Sequence, residues 1–408
     1  MKELLKRIAK SNRHLKKLLQ KYLDHKRSKI YNNSCKNNEI CQNMIIFEAF
    51  MGRKYADSPR AIYEEMIKDD RFKDFIFVWS FKDPEKKKDI PELKRAVLIK
   101  HRSSAYYDYY GKTKYIVSNS RIDILIKKRK EQVYIQTWHG TPLKRLGYDI
   151  HIGNNALYTK EEMCRFYKLD SARYNYMLSP SPFCTEKFSS AFNLPVNSPK
   201  CEIVEEGYPR NDFLSTFTQE DVVRIKRELQ IPDDKKVILY APTWRDNQHK
   251  NSIGYTYQVE VDFDYLRKAL EDDYIILFRA HYFIANSFDF SKYKGFVYNV
   301  SEYENINDLY VVSDVLMTDY SSVFFDYSIL KRPMIFYMYD LEFYENETRG
   351  FYISLEDLPG PIVQTEAECV QELKKEFIYD DKYKRFNERF TSLEDGHATE
   401  RVINRCFK

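Results

Sequence analysis

The sequence predicts an α/β protein of two Rossmann-like domains facing a cleft, led by a basic amphipathic helix. Short apolar runs alternate with helix-patterned stretches in two series, separated by a composition shift near residues 196–236. At 408 residues the chain exceeds one ordinary core, and 43% hydrophobic content suffices to fill two. Positive charge is concentrated in residues 1–30: eleven Lys or Arg stand against Glu3 and Asp24, a net of +9. The chain total is +5, so the remainder sums to −4.

Taken in order, the first predicted element is the helix over residues 1–30. At about 100° per residue, Leu4, Ile8, Leu15, Leu18, Leu19 and Tyr22 share one face. Lys2, Lys6, Lys10, Arg13, Lys17 and Lys21 fall opposite. Such a helix suits the interface of an anionic membrane. The competing reading packs its leucines on the body, and nucleic acid is disfavoured because no recognition motif accompanies the charge. Residues 31–212 form the predicted first Rossmann-like domain, with strands at 44–47, 75–79, 96–99, 115–117, 134–136 and 176–178 and helices at 59–68 and 160–167. Residues 213–408 form the second, with a charged helix at 219–229 and strands at 237–240, 274–278, 296–298, 315–317 and 334–337.

Several classes are excluded. Seven scattered cysteines with no C-x-x-C spacing fit reduced thiols in the cytosol, not a disulfide scaffold or a zinc site. No apolar run reaches the roughly 18 residues a membrane span needs, and no signal-peptide core follows the N-terminus. P-loop, G-x-G-x-x-G, H-E-x-x-H and G-x-S-x-G signatures are all missing. Asp262-Phe-Asp264 is formally a D-x-D, but it directly precedes a helical pattern and is better explained as a cap. The run Lys127-Lys-Arg-Lys130 reads as a solvated edge or loop.

The residues suited to chemistry sit at strand ends, where open α/β sheets bind ligands. The strand at 133–136 runs into Thr137-Trp138-His139-Gly140-Thr141-Pro142. Thr141 suits an N-cap and Pro142 a first helical position, so the reading places His139 in the crevice beside the positive end of a helix. A lone histidine is as often a satisfied core residue, but this one has company. The strand at 237–240 runs into Ala241-Pro242-Thr243, and that at 274–278 into Arg279-Ala-His281. The strand at 315–317 runs into Thr318-Asp-Tyr-Ser321-Ser322, ahead of a helical pattern over 323–330. Free N–H groups and hydroxyls at that helix start favour an anion, although adjacent serines there are commonly mere caps. Arg279 and His281 at a neighbouring strand end tip the balance towards a phosphorylated ligand.

With these motifs in view, the chain resembles the CDP-glycerol glycerophosphotransferase family of teichoic-acid primases and polymerases. The resemblance runs from about residue 43 to the C-terminus. It rests on Gly52-Arg-Lys-Tyr-Ala-Asp-Ser-Pro59, Gln136-Thr-Trp-His-Gly-Thr-Pro142, Gly207-Tyr-Pro-Arg-Asn-Asp212 and Ala241-Pro-Thr-Trp-Arg245. Thr318-Asp-Tyr-Ser-Ser-Val-Phe-Phe-Asp326 and Glu394-Asp-Gly-His-Ala-Thr-Glu-Arg401 complete it. It implies a GT-B-like fold and transfer of glycerol phosphate, or ribitol phosphate, from a CDP-activated donor with release of CMP. The acceptor would be an undecaprenyl-diphosphate-linked hydroxyl at the cytoplasmic face of the membrane, and no metal or cofactor is expected. Carried over by motif, His139 and His281 become catalytic. Trp138, Gly140, Thr141, Pro142, Arg210, Pro242, Thr243, Arg279, Ser321, Ser322 and Asp326 become substrate-binding. The family usually has proline after the second histidine, whereas this chain has Tyr282. A nucleotide-sugar glycosyltransferase of the same fold and a membrane-docked non-catalytic scaffold are the rival readings.

Overall fold

The structure is a computed structural model and describes residues 13–151, 159–243, 249–250, 254–255, 260–280, 288–341 and 350–408. Two parallel sheets organise it. The first comprises β1 (Cys41–Glu48), β2 (Ile76–Phe81), β3 (Ala96–Lys100), β4 (Thr113–Ser118), β5 (Val133–Gln136), β6 (Tyr176–Ser179) and β7 (Glu202–Glu205), in the order β3-β2-β1-β4-β5-β6-β7. After β8 (Lys236–Ala241), β9 (His249–Lys250) and β10 (Gly254–Tyr255) form a small antiparallel pair. The second sheet continues through β11 (Tyr274–Phe278), β12 (Val297–Asn299), β13 (Val315–Thr318), β14 (Met334–Tyr337) and β15 (Ile362–Val363), ordered β12-β11-β8-β13-β14-β15. In each sheet the strand order reverses once, between β1 and β4 and between β8 and β13. Ligand crevices open at the carboxyl ends of such switch points.

The central strands are covered on both faces, which is why they read as unbroken apolar runs. Ile45, Ile46 and Phe47 of β1 and all five residues of β11 are buried. The two strands of the large sheets that the sequence reading passed over are edge strands: β7 buries only Val204 fully, and β15 is two residues long. The chain does not divide cleanly in two. Its last helix, Ala398–Cys406, returns to the first sheet. There Val402, Ile403 and Cys406 are buried, Phe407 packs on Tyr115 at 4.9 Å, and the Tyr115 hydroxyl donates to the Lys408 carbonyl at 2.7 Å.

The N-terminal helix is described from Arg13 and runs to Asn37, past the predicted end at residue 30. The first twelve residues of the predicted helix and the side chain of Leu15 lie outside the described set. Its last turns belong to the first domain. The Tyr31 hydroxyl donates to the Lys127 carbonyl at 2.6 Å, and the Ser34 hydroxyl donates to the Asp108 carbonyl at 2.8 Å. A Cβ on Gly111 would lie 2.7 Å from Ser34, so the close approach requires glycine. Leu18 and Tyr22 do not follow this docking and remain 63% and 64% exposed. The Lys127-to-Lys130 run is a loop, but not wholly a solvated one. Lys128 donates to the Gln132 carbonyl at 2.9 Å, and Arg129 to the carbonyls of Asn38 at 2.9 Å and Gly111 at 3.2 Å.

One local expectation is corrected. No helix starts at Thr141 and Pro142; the chain stays irregular until the short 3-10 turn Gly147–Asp149. Pairing with the second half overrides the cap-and-proline signal. Lys144 bridges Phe351 in antiparallel fashion, Arg145 N–H donates to the Gly350 carbonyl at 2.9 Å, and Tyr352 N–H to the Leu143 carbonyl at 2.9 Å. The helix expected to follow the His139 loop directly is therefore not formed. The other two local readings fare differently. Asp262 caps Phe263–Leu270, accepting from the N–H groups of Asp264 and Tyr265. Residues 323–330 are α-helical as Val323–Tyr327 and 3-10 as Ser328–Leu330.

Candidate active site at the junction of the two sheets

His139 follows β5 at the carboxyl edge of the first sheet, and its surroundings fix which nitrogen can act. Nδ1 lies 2.7 Å from the carbonyl oxygen of Asn119, the residue after β4. A carbonyl only accepts, so Nδ1 carries the proton and the neutral ring holds its lone pair on Nε2. Trp138 stacks on the ring at 4.3 Å and Phe50 lies at 6.0 Å, while the outer edge of His139 stays exposed. Burial among these groups lowers its pKa below the usual imidazole value. The Asn119 carbonyl and Asp57 oppose the shift and Arg210 assists it. The ring is consequently neutral at pH 7 and able to accept a proton.

The backbone here is held in unusual conformations. Phe50, Met51, Asp57 and Trp138 have φ of 49°, 56°, 68° and 52°. Left-handed non-glycine residues cost free energy and gather where function demands them. Gly140, at φ 149°, occupies a region essentially closed to other residues. A Cβ there would sit 3.4 Å from Arg210 Nη2 and 3.5 Å from Ser322 Oγ. That proximity brings the second sheet's serine loop against the His139 loop.

On the second sheet, Pro242 and Thr243 follow β8 and the serine loop follows β13, at the switch point. Asp319 ties them: its Oδ1 accepts from Thr243 N–H at 2.8 Å and from the Thr243 hydroxyl at 2.9 Å. Ser321 and Ser322 are half-buried, and Ser322 makes no side-chain capping bond. Arg279, after β11, donates through Nη1 to the carbonyls of Val300 at 3.1 Å and Tyr303 at 3.0 Å, and burial lowers its pKa. Lys54 of the first half donates to the same Tyr303 carbonyl at 3.2 Å. Burial and the nearby Arg279 push its pKa down to about 8. Glu304 fastens the junction, accepting from Lys87 at 2.5 Å and from Tyr55 N–H at 2.9 Å.

Arg210 sits on the Pro209–Asn211 turn that links the halves. It donates to Asp57 Oδ2 at 3.0 Å, to the His139 carbonyl at 3.0 Å and to Asp326 Oδ2 at 2.5 Å. Burial alone pulls its pKa down, but Asp326 and Asp57 outweigh it and hold the guanidinium well above its ordinary value. Its Nε is buried without a protein partner. Asn211 shares its amide between Asp326 Oδ1 and Glu394 Oε1, both at 3.1 Å. Burial, with no cation in contact, raises the Glu394 carboxyl to about 8 despite bonds from Asn211 and Tyr208 N–H.

Of the predicted site residues, His139, Gly140, Arg210, Ser322 and Asp326 come together at the junction, with Ser321, Thr243 and Arg279 on adjoining strand ends. Trp138, Thr141, Pro142 and Pro242 lie buried in the same loops. His281 lies outside the described residues. Sequence reasoning missed Asp57, Asn119, Lys54, Asn211, Glu394 and Glu304. Asp57 and Lys54 do lie inside the motif at 52–59, and Asn211 and Glu394 inside quoted motifs as well.

Two parallel sheets of Rossmann-like strand order, meeting at a polar junction between an imidazole and a serine loop, define a two-part α/β protein with one interfacial site. The chain belongs to the CDP-glycerol:poly(glycerophosphate) glycerophosphotransferase family, whose model matches residues 30–408. It is similar to the teichoic acid poly(glycerol phosphate) polymerase of Staphylococcus epidermidis, at 40% identity over 402 residues, 97% of this chain and 54% of that protein. The Bacillus subtilis protein of the same name is 40% identical over 383 residues, 90% of this chain and 49% of the relative. The teichoic acid glycerol-phosphate transferase of Staphylococcus aureus is 39% identical over 378 residues, covering 90% of this chain and 93% of that one. The chain thus spans about half the length of the first two relatives. A structure of a variant of the wall teichoic acid polymerase TagF with CDPG superposes with a TM-score of 0.85 at 39% identity, over 96% of this chain and 95% of that one.

Proposed function

We propose that this protein has a GT-B-like architecture and transfers glycerol phosphate from CDP-glycerol to a hydroxyl of a lipid-linked acceptor, releasing CMP, in the synthesis of a teichoic-acid or capsule-type polymer. The observation that carries the reading is the His139 tautomer: a neutral ring with its lone pair on Nε2, beside a loop bearing two serine hydroxyls. The acceptor hydroxyl gives its proton to Nε2 as its oxygen bonds to the β-phosphorus. The bond from that phosphorus to the bridging oxygen breaks, and CMP leaves with the electron pair. Negative charge grows on the phosphoryl oxygens and on CMP. Arg279, Lys54, Ser321, Ser322 and the unpartnered Nε of Arg210 are the donors available to meet it, with His281 joining them by motif. Thr243 and Pro242 shape the donor side of the same crevice.

The reaction as proposed uses no metal or cofactor. Asp262 is engaged as a helix cap and Asp264 is paired with Lys292, so the D-x-D is already committed. The acceptor's undecaprenyl diphosphate places the enzyme at the cytoplasmic face of the membrane as a peripheral protein. No helix among the described residues is long and apolar enough to cross a membrane. The basic N-terminal helix, with Leu18 and Tyr22 unpacked, supplies an attachment surface. The deciding experiment incubates the protein with a lipid-linked acceptor and CDP-glycerol, CDP-ribitol or UDP-sugars in turn, and follows nucleotide release and product mass. CMP release with a glycerol phosphate mass increment is expected. Turnover of a UDP-sugar alone would support the glycosyltransferase reading, and no turnover of any donor the scaffold.

A further inference from the structure

We propose that Asp57 is the positioning residue of His139, acting through Arg210, and that Asp326 from the second half completes a clamp that sets the His139 loop when the halves are together. The inference rests on the reading of His139 as the base. Nη1 of Arg210 bonds the Asp57 carboxylate and the His139 main-chain carbonyl at once, both at 3.0 Å. Nη2 bonds Asp326, which lies 116 residues further along the chain. The one Arg210 side chain ties these three points together.

The clamp is buried, and its carboxylates are satisfied within the protein. The side chains of Asp57, Arg210 and Asp326 are 4%, 8% and 6% exposed. Asp57 Oδ1 accepts from Ser58 N–H at 2.7 Å and Oδ2 from Arg210; Asp326 Oδ1 accepts from Asn211 and Oδ2 from Arg210. With each carboxylate oxygen already bonded within the protein, the carboxylates hold geometry. Asp57 also keeps a φ of 68°, a conformation that a non-glycine residue adopts at a cost and that aims its carboxylate at Arg210. The Arg210 carbonyl accepts from the Asn307 amide, so the linker itself is pinned to the second half. Two carboxylates against one guanidinium leave surplus negative charge beside a ring that becomes cationic when it takes the acceptor's proton. A lysine could not replace this guanidinium, since a point charge does not present a planar fork to two carboxylates and a carbonyl.

A double-mutant cycle on the full chain tests the proposal, with turnover and CDP-glycerol affinity as readouts. Asp57→Asn keeps the shape of the side chain and removes its charge. It is expected to lower kcat by about 10–100-fold while changing the CDP-glycerol KM and the calorimetric Kd less than about threefold. Added to His139→Gln, it should cost less than about threefold more, because its effect passes through His139. Equal losses in both backgrounds would overturn the clamp, as would wild-type turnover in Asp57→Asn or a weakened Kd with kcat intact. If Asp57→Asn does not fold, Asp326→Asn enters the same cycle with the same expectations. A His139→Gln enzyme with wild-type turnover would refute the base assignment and the clamp with it. A large His139 effect with an additive Asp57 effect refutes the clamp alone.

Discussion

Glutamine at position 139 isolates the proton-accepting role of the imidazole. Its amide can still donate to the Asn119 carbonyl, which now holds Nδ1 at 2.7 Å, so the loop keeps its anchor. What disappears is the basic lone pair on Nε2. With the pKa lowered below its usual value near 6.5, more than about three quarters of the wild-type rings are neutral at pH 7. Nearly the full general-base contribution is therefore available there, typically 10²–10⁴-fold. That range corresponds to about 2.7–5.4 kcal/mol of transition-state stabilisation. His139 stands on the first sheet and is assigned the acceptor's proton rather than the donor's phosphates, so CDP-glycerol affinity should move less than about threefold. Turnover is read as CMP released in the presence of a soluble short-chain acceptor, and affinity by calorimetry. The wild-type rate should rise with pH through the region below 6.5 as the ring loses its proton, and the glutamine enzyme should lack that limb. Turnover within about threefold of wild type, or a loss confined to donor affinity, would refute the assignment.

Ser321→Ala with Ser322→Ala, or Arg279→Ala alone, should weaken CDP-glycerol binding and lower kcat about tenfold or more, because these donors meet charge that grows in the transition state. EDTA should leave turnover unchanged, and a chelated enzyme restored by Mg²⁺ would contradict that. Glu394, raised to about 8 when folded, binds a proton that the unfolded chain gives up near pH 4.5. Stability should thus be fully present below pH 4.5 as far as this group is concerned and be lost as pH rises through 8. Glu394→Gln should flatten the Tm decline between pH 4.5 and 8, and an unaltered slope would contradict the assignment. Leu18→Glu with Tyr22→Glu should weaken binding to anionic vesicles about tenfold or more even at low salt, since apolar burial is insensitive to screening. Rising salt should weaken wild-type binding through the lysines. Because both side chains are exposed, Tm should hold; a lower Tm with vesicle binding intact would mean that the helix packs on the body.

The strands were legible because central parallel strands must be apolar on both faces. Tyr274–Phe278 and Met334–Tyr337 emerge with the bounds that periodicity assigns them. The strand-end rule likewise led to His139, Arg279 and the serine pair, each strengthened by the polar strand ends beside it. The helix after Pro142 failed for the opposite reason. Thr141 and Pro142 are sound local signals, yet Leu143 to Arg145 find their hydrogen bonds on Gly350 to Tyr352, some 200 residues away. Local propensity is worth less than a kilocalorie or so per residue, and a set of long-range main-chain bonds outweighs it. The clamp was illegible in the same sense. In the sequence Asp57 lies just ahead of the helix expected at 59–68, Arg210 within the composition shift near 196–236, and Asp326 in the helical pattern over 323–330. Only their convergence, over separations of 153 and 116 residues, makes them a unit. The motifs that tied the chain to its family contain all three of these residues, but a motif records identity and spacing and is silent on pairing. The pairing shows Arg210 bonded both to Asp326 and to the His139 carbonyl. Whichever acceptor atom of the substrate Arg210 Nε–H meets, the same guanidinium is bonded to the main chain of the proposed base.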